Sequence, residues 1–135
     1  MDVQIKSYPI TPMGKPRMTQ QDRWKKRPCV LRYHAFKDAC REHSVSLSDS
    51  LKLLFVLPMP KSWSKKKKRE MDGRPHQQRP DIDNLQKALF DAVLEEDANI
   101  WSVSAVKVWG QVGEIRVQNT NGPAAAVEVR RAETI

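Results

Sequence analysis

The run Arg79-Pro80-Asp81-Ile82-Asp83-Asn84-Leu85-Gln86-Lys87 sets two carboxylates two positions apart and a lysine four positions after the second. Two carboxylates about 5 Å apart repel by roughly 3 kcal/mol at an effective dielectric near 20. A fold tolerates this when one of them takes a proton or when a cation sits between them. Mg²⁺ suits such a place, because it accepts a few carboxylate oxygens and keeps waters that a phosphate can displace. A third acid, most naturally Asp97 in Glu95-Glu96-Asp97, completes the set once the chain folds back. A second reading needs no chemistry: Asp81 caps a helix, and Asp83 and Lys87 form an exposed ion pair worth a few tenths of a kcal/mol. Spacing alone leaves both readings open.

The charge around this run favours the first. The chain of 135 residues carries a formal net charge of +8, and the surplus sits in two places. Residues 14–41 hold nine Lys/Arg against two acids, and residues 61–79 hold eight against two, which leaves the remainder net acidic. A local surplus points to a polyanion, first of all nucleic acid. A polyanion drawn to Lys65, Lys66, Lys67, Lys68 and Arg69 is delivered through Arg79 onto the acidic pair, as metal-assisted phosphodiester hydrolysis requires. No amphipathic apolar helix accompanies either basic segment, so a membrane surface is a poor partner.

The elements that must position these residues can be read from periodicity. Ile82, Leu85, Leu89, Phe90, Val93 and Leu94 form a helical apolar stripe, with Asp81 at its start and Asp83 and Lys87 on the opposite side. A second helix is expected over residues 31–44. Strands are expected over 3–10, 51–57, 103–109, 114–118 and 126–130, with a turn at 110–113. Val103, Ala105, Lys107 and Trp109 fall on one strand face, and Val106 and Val108 on the other. Residues 14–28 and 61–79, without periodicity, read as basic loops. Strand, helix, strand, helix, strands without a repeat predicts one α+β domain over residues 1–135, with a mixed β-sheet and two main helices.

Other signals are weaker. The longest nearly unbroken apolar stretch, residues 53–59, is too short to span a bilayer, and no signal peptide is visible. Two cysteines, Cys29 and Cys40, read as reduced thiols of a cytoplasmic protein. With His34 and His43 they have no common zinc spacing. His76 reads as a solvent-exposed loop histidine. Trp101 and Trp109 read as core or interface residues, and Trp24 and Trp63 as either base-stacking or packing residues.

The segment 79–88, with Phe90-Asp91-Ala92 and Glu96-Asp97-Ala98, closely resembles the RusA family of Holliday-junction resolvases, phage and prophage members included. The likeness extends to Gly14-Lys15-Pro16-Arg17, Leu57-Pro58-Met59-Pro60, the Lys-rich segment and Lys107-Val108-Trp109-Gly110. The resemblance implies metal-binding acids at Asp81, Asp83 and Asp97, with Glu96 as the alternative third ligand, and a catalytic lysine at Lys87. It also implies dependence on Mg²⁺, with Mn²⁺ able to substitute, and a homodimer that cleaves four-way DNA junctions in the cytoplasm of a bacterial host. Lys15, Arg17, Lys65 to Lys68, Arg69 and Arg79 are the expected DNA contacts, and the strand around Trp101 to Trp109 is the expected interface. Competing readings are a nuclease acting on another branched DNA, including one of the PD-(D/E)-x-K type with Glu114 as the later acid, and a non-catalytic nucleic-acid-binding protein.

Overall fold

The computed structural model describes residues 4–17 and 27–120. The elements run β1 (Gln4–Tyr8), α1 (Pro28–Glu42), β2 (Ser50–Pro58), α2 (Lys65–Met71), α3 (Ile82–Val93), a single 3₁₀ turn (Asp97–Asn99), β3 (Ser102–Gly110) and β4 (Glu114–Asn119). The strands form one mixed sheet in the order β1-β4-β2-β3. β2 and β3 are parallel, and β4 runs antiparallel to both β1 and β2. The α+β fold with a mixed sheet and two main helices follows the pattern of the sequence, and a third, short helix is added. The expected strand over 126–130 and Trp24 lie outside the described residues.

Parallel strands cannot be joined by a hairpin, so the chain leaves β2 and crosses back before entering β3. That crossover contains α2, α3 and the 3₁₀ turn. It lies on the sheet face where Leu51, Leu53, Phe55 and Leu57 of β2 meet Ile115 and Val117 of β4. Onto this face α3 lays Leu85, Ala88 and Leu89, and α1 lays Tyr33, Phe36 and Cys40. Burial pushes the Cys40 thiol up to about 11, which makes it a packed apolar side chain and a poor nucleophile.

The register of β3 on β2 sorts the β3 side chains. Leu51 pairs with Val103, Leu53 with Ala105, Phe55 with Lys107 and Leu57 with Trp109, so these four β3 residues share the helix-covered side. After β3 the chain turns through Gly113, where a Cβ would sit 2.6 Å from the Thr11 Cα. Only glycine permits that approach to the segment following β1.

Leu89 is fully buried between the sheet and α1, at 0% exposure. Its replacement by alanine removes apolar contact and leaves a cavity. Leu89→Ala is expected to lower unfolding stability by about 2–5 kcal/mol in a urea titration. A loss below about 1 kcal/mol would mean that α3 is not packed as described.

Candidate active site

α3 begins at a position set by β3. The Lys107 ammonium donates to the carbonyl oxygens of Gln78 (2.6 Å) and Pro80 (2.9 Å), so a strand side chain holds the residues leading into the helix. Hydrogen bonds from a charged donor are worth more than neutral ones, about 1.5–3 kcal/mol. The Arg79–Pro80 peptide is cis. Asp81 follows in the N-cap position with extended backbone, and Asp83 lies in the first turn.

Neither acid performs the structural job that would explain it without chemistry. The Asp81 side chain makes no capping bond. No ion pair joins Asp83 to Lys87 among the described residues; Asp83 Oδ1 accepts only from the Asn84 backbone N–H at 2.9 Å. Asp81, Asp83 and Lys87 are all exposed. Two solvent-facing carboxylates at one helix start, with Lys87 exposed one turn beyond Asp83, are available to a ligand.

Two open hollows lie here, one at Asp81 and one at Lys87, with Asn84 on the wall of both. One, about 440 Å³, is lined by Arg79, Pro80, Asp81 and Asn84, and the other, about 350 Å³, by Lys15, Pro16, Arg17, Asn84 and Lys87. The segment 14–17 is docked on α3 at two points. Gly14 sits where a Cβ would lie 2.5 Å from Asn84 Nδ2 and 3.2 Å from the Pro80 Cβ. The Lys15 ammonium pairs with the Asp91 carboxylate at 2.6 Å. A half-exposed ion pair contributes little stability; its effect is to lay Arg17 beside Lys87. Asp91 is a site residue that sequence reasoning missed, although its position eight after Asp83 puts it on the same helix side.

Sequence periodicity predicts a mobile loop over residues 61–79, and the structure corrects this. Lys65–Met71 is helical, opened by the Ser64 side chain accepting from the Lys67 N–H at 3.1 Å. Trp63 packs on Trp109 with ring centroids 4.8 Å apart, and the Lys67 ammonium lies 4.3 Å from the Trp63 ring centre. Beyond the helix the chain bonds to the edge of β3: Gly73 N–H to Trp109 O, Trp109 N–H to Arg74 O, and His76 N–H to Lys107 O. His76 is 4% exposed, against the solvated histidine expected, and its ring lies 4.1 Å from that of Trp109. The helix divides its cations. Lys65, Lys68 and Arg69 line a hollow of about 510 Å³ with Met59, Asp72 and Gln111, while Lys67 is turned to Trp63. Lys66 is exposed.

The third acid does not join the pair within one chain. Asp97 opens the 3₁₀ turn beyond the far end of α3, and among the described residues no three His, Cys, Asp or Glu side chains gather as they would around a metal ion. Among the described residues, Asp97 therefore does not fold back onto the pair. Glu96, the alternative ligand, uses its carboxylate to accept from the Ala98 N–H at 3.1 Å. Glu114 lies elsewhere, on β4. Hydrogen bonds from Arg116 and Ser7 hold its carboxyl below the usual range.

The family model described as Endodeoxyribonuclease RusA matches residues 8–119. No curated protein matches the chain. No helix among the described residues is long and apolar enough to cross a membrane.

The buried His76 gives the docked segment a pH dependence. Burial first, and the Lys107 charge second, lower its pKa from the ordinary value near 6.5. A group whose folded pKa is depressed contributes stability above its unfolded pKa and loses it as pH falls through the folded value. Urea unfolding should therefore show the protein weakening from pH 7 to pH 5 more steeply than His76→Gln. Equal slopes would place His76 in water.

Proposed function

Because the chain belongs to the RusA family of endodeoxyribonucleases, we propose that it resolves four-way DNA junctions, cutting one phosphodiester in each of two opposed strands. The observation that carries this reading is the pair Asp81 and Asp83, exposed at the start of α3 without a side-chain cap or an ion pair between Asp83 and Lys87. Asp81 lines a hollow with Arg79 and Asn84, and Asn84 also lines a second hollow with Arg17 and Lys87. DNA recombination and repair in a bacterial cytoplasm supply such a substrate.

The carboxylate oxygens of Asp81 and Asp83 are hard donors suited to Mg²⁺, with Mn²⁺ as a substitute. Bound there, the ion supplies Lewis-acid stabilisation of the phosphate and a more acidic water. The chain's own residues do the rest. Lys87, four residues from Asp83, faces the charge that develops on the phosphate. Arg17 and Arg79 hold the neighbouring phosphates on either side of Asn84. Lys107 is a positioning residue, since it fixes the carbonyl just before Asp81. Lys15 positions Arg17 through Asp91 and is itself neutralised, so its direct share of DNA binding is small. On α2, Lys65, Lys68 and Arg69 present their charge to a second stretch of backbone, with Lys66 adding to the local potential. Lys67 holds the helix to Trp63.

Two alternatives fare worse. The PD-(D/E)-x-K reading needs Glu114, whose carboxylate is held by Arg116 and Ser7. A purely DNA-binding protein has no use for two adjacent carboxylates that face phosphate and brace nothing.

Removing a carboxylate here deletes a metal ligand and also a negative charge facing phosphate. Asp81→Asn and Asp83→Asn are expected to lower junction cleavage by at least about 100-fold while gel-shift affinity stays level or rises. Lys87→Ala should slow cleavage severely, with partial rescue by Lys87→Arg. Normal turnover by either aspartate variant would return both acids to a structural role.

A further inference from the structure

The turn between β3 and β4 is fixed at both ends and carries an apolar side chain at its tip. A Cβ on Gly110 would run into the Val56 side chain, and one on Gly113 would run into Thr11. The Met59 N–H adds a hydrogen bond to the Gly110 oxygen at 3.1 Å. Gln111 and Val112 stand between these anchors, and both are exposed. Val112, at 76%, is the most exposed large apolar side chain among the described residues. A single exposed valine on a loose loop would be ordinary surface. This one is held out from a turn whose glycines are wedged against their neighbours, and its branched Cβ leaves it few rotamers.

The surroundings of the turn point to its ligand. Gln111 lines the same hollow as Lys65, Lys68 and Arg69 of α2. A phosphate backbone seated on these cations brings its bases up to Gln111 and Val112. The turn also stands at the end of the sheet that carries the acidic pair. Lys107, which holds the entry to α3, is three residues from Gly110, about 10 Å along the strand. About three base-pair steps cover that length. An isopropyl group gains nothing from phosphate, and in linear duplex the faces of the bases are already stacked on one another. At a four-way junction the strands change partners, and the pairs beside the crossover lose a stacked neighbour when the arms spread. Their uncovered faces accept an apolar side chain without the unstacking cost that a wedge meets in duplex DNA.

We propose that Val112 recognises the branch point, packing on the uncovered face of a base pair beside the crossover while Lys65, Lys68 and Arg69 hold the adjoining backbone. Gln111, with donor and acceptor on one amide, meets the edge of the same pair. The inference rests on the reading of the chain as a junction-cutting nuclease and adds to it the residue that tells a branched substrate from a linear one. Two jobs then fall to different groups. The cations supply affinity for any DNA, and Val112 supplies preference for the branch.

The test measures binding of the full-length chain with chelator present, so that no strand is cut. Gel-shift affinities for a four-way junction and for linear duplex of the same sequence are compared among wild type, Val112→Ser and Val112→Ile. Val112→Ser should lower the junction-to-duplex ratio at least about fourfold, the worth of one buried methylene group, and Val112→Ile should keep it. Lys68→Ala should weaken junction and duplex binding alike. A 2-aminopurine base placed beside the crossover should change its fluorescence when wild type binds, and much less with Val112→Ser. Urea unfolding of Val112→Ser should match wild type, since the side chain is exposed, so a lost preference reports a lost contact. An unchanged ratio for Val112→Ser, or a 2-aminopurine response equal to that of wild type, would overturn the proposal. So would a wild-type chain with no preference for the junction. If wild type favoured the junction but cut none with Mg²⁺, the nuclease reading would fail, and the Val112 comparison would still decide the proposal.

Discussion

The parallel pairing of β3 with β2 is the constraint on which the rest of the structure depends. It forces the chain to cross the sheet face between Pro58 and Ser102, and the acidic pair, Lys87 and the basic helix α2 all lie in that crossover. β3 then serves as the rail to which the crossover is fastened. Two residues apart on its helix-facing side, Lys107 holds the entry to α3 and Trp109 holds His76 and Trp63. The basic helix and the acidic pair are thus carried by one strand, in fixed relation to each other.

Opposite charges are kept close without cancelling. α3 has Lys15 pairing with Asp91 along its length, while Asp81, Asp83 and Lys87 take no such partner within it. Neutralising the pair internally would give the ion-pair helix of an ordinary surface. Left as it is, the start of α3 keeps its exposed carboxylates for a ligand, and a departure from the ordinary surface pattern is expected where function overrides local consistency.

Much of this was legible in the sequence. The apolar stripe from Ile82 to Leu94 gave α3, and alternation gave β2, β3 and β4, because burial on one face imposes those periods. The spacing Asp81, Asp83, Lys87 gave the candidate site. What escaped notice depends on long-range contact. α2 has no apolar stripe; its polar residues are held by the Ser64 cap and by Trp63 against Trp109, forty-six positions away. His76 is buried by the same strand edge. The Lys15–Asp91 pair spans seventy-six positions, and no local pattern announces it. The separation of Asp97 from Asp81 follows from helix length, and the sequence could have shown it had the helix rise been set against the reach of a carboxylate.

In the proposed function a basic, metal-dependent site acts on both sides of a branched DNA. A supercoiled plasmid that extrudes a cruciform measures this directly, since one cut yields nicked circles and two opposed cuts yield linear DNA. Linear product is expected at the cruciform with Mg²⁺, none with chelator, and no cutting of the same plasmid lacking the inverted repeat. Equal cutting of both plasmids, or no cutting with any divalent ion, would contradict it.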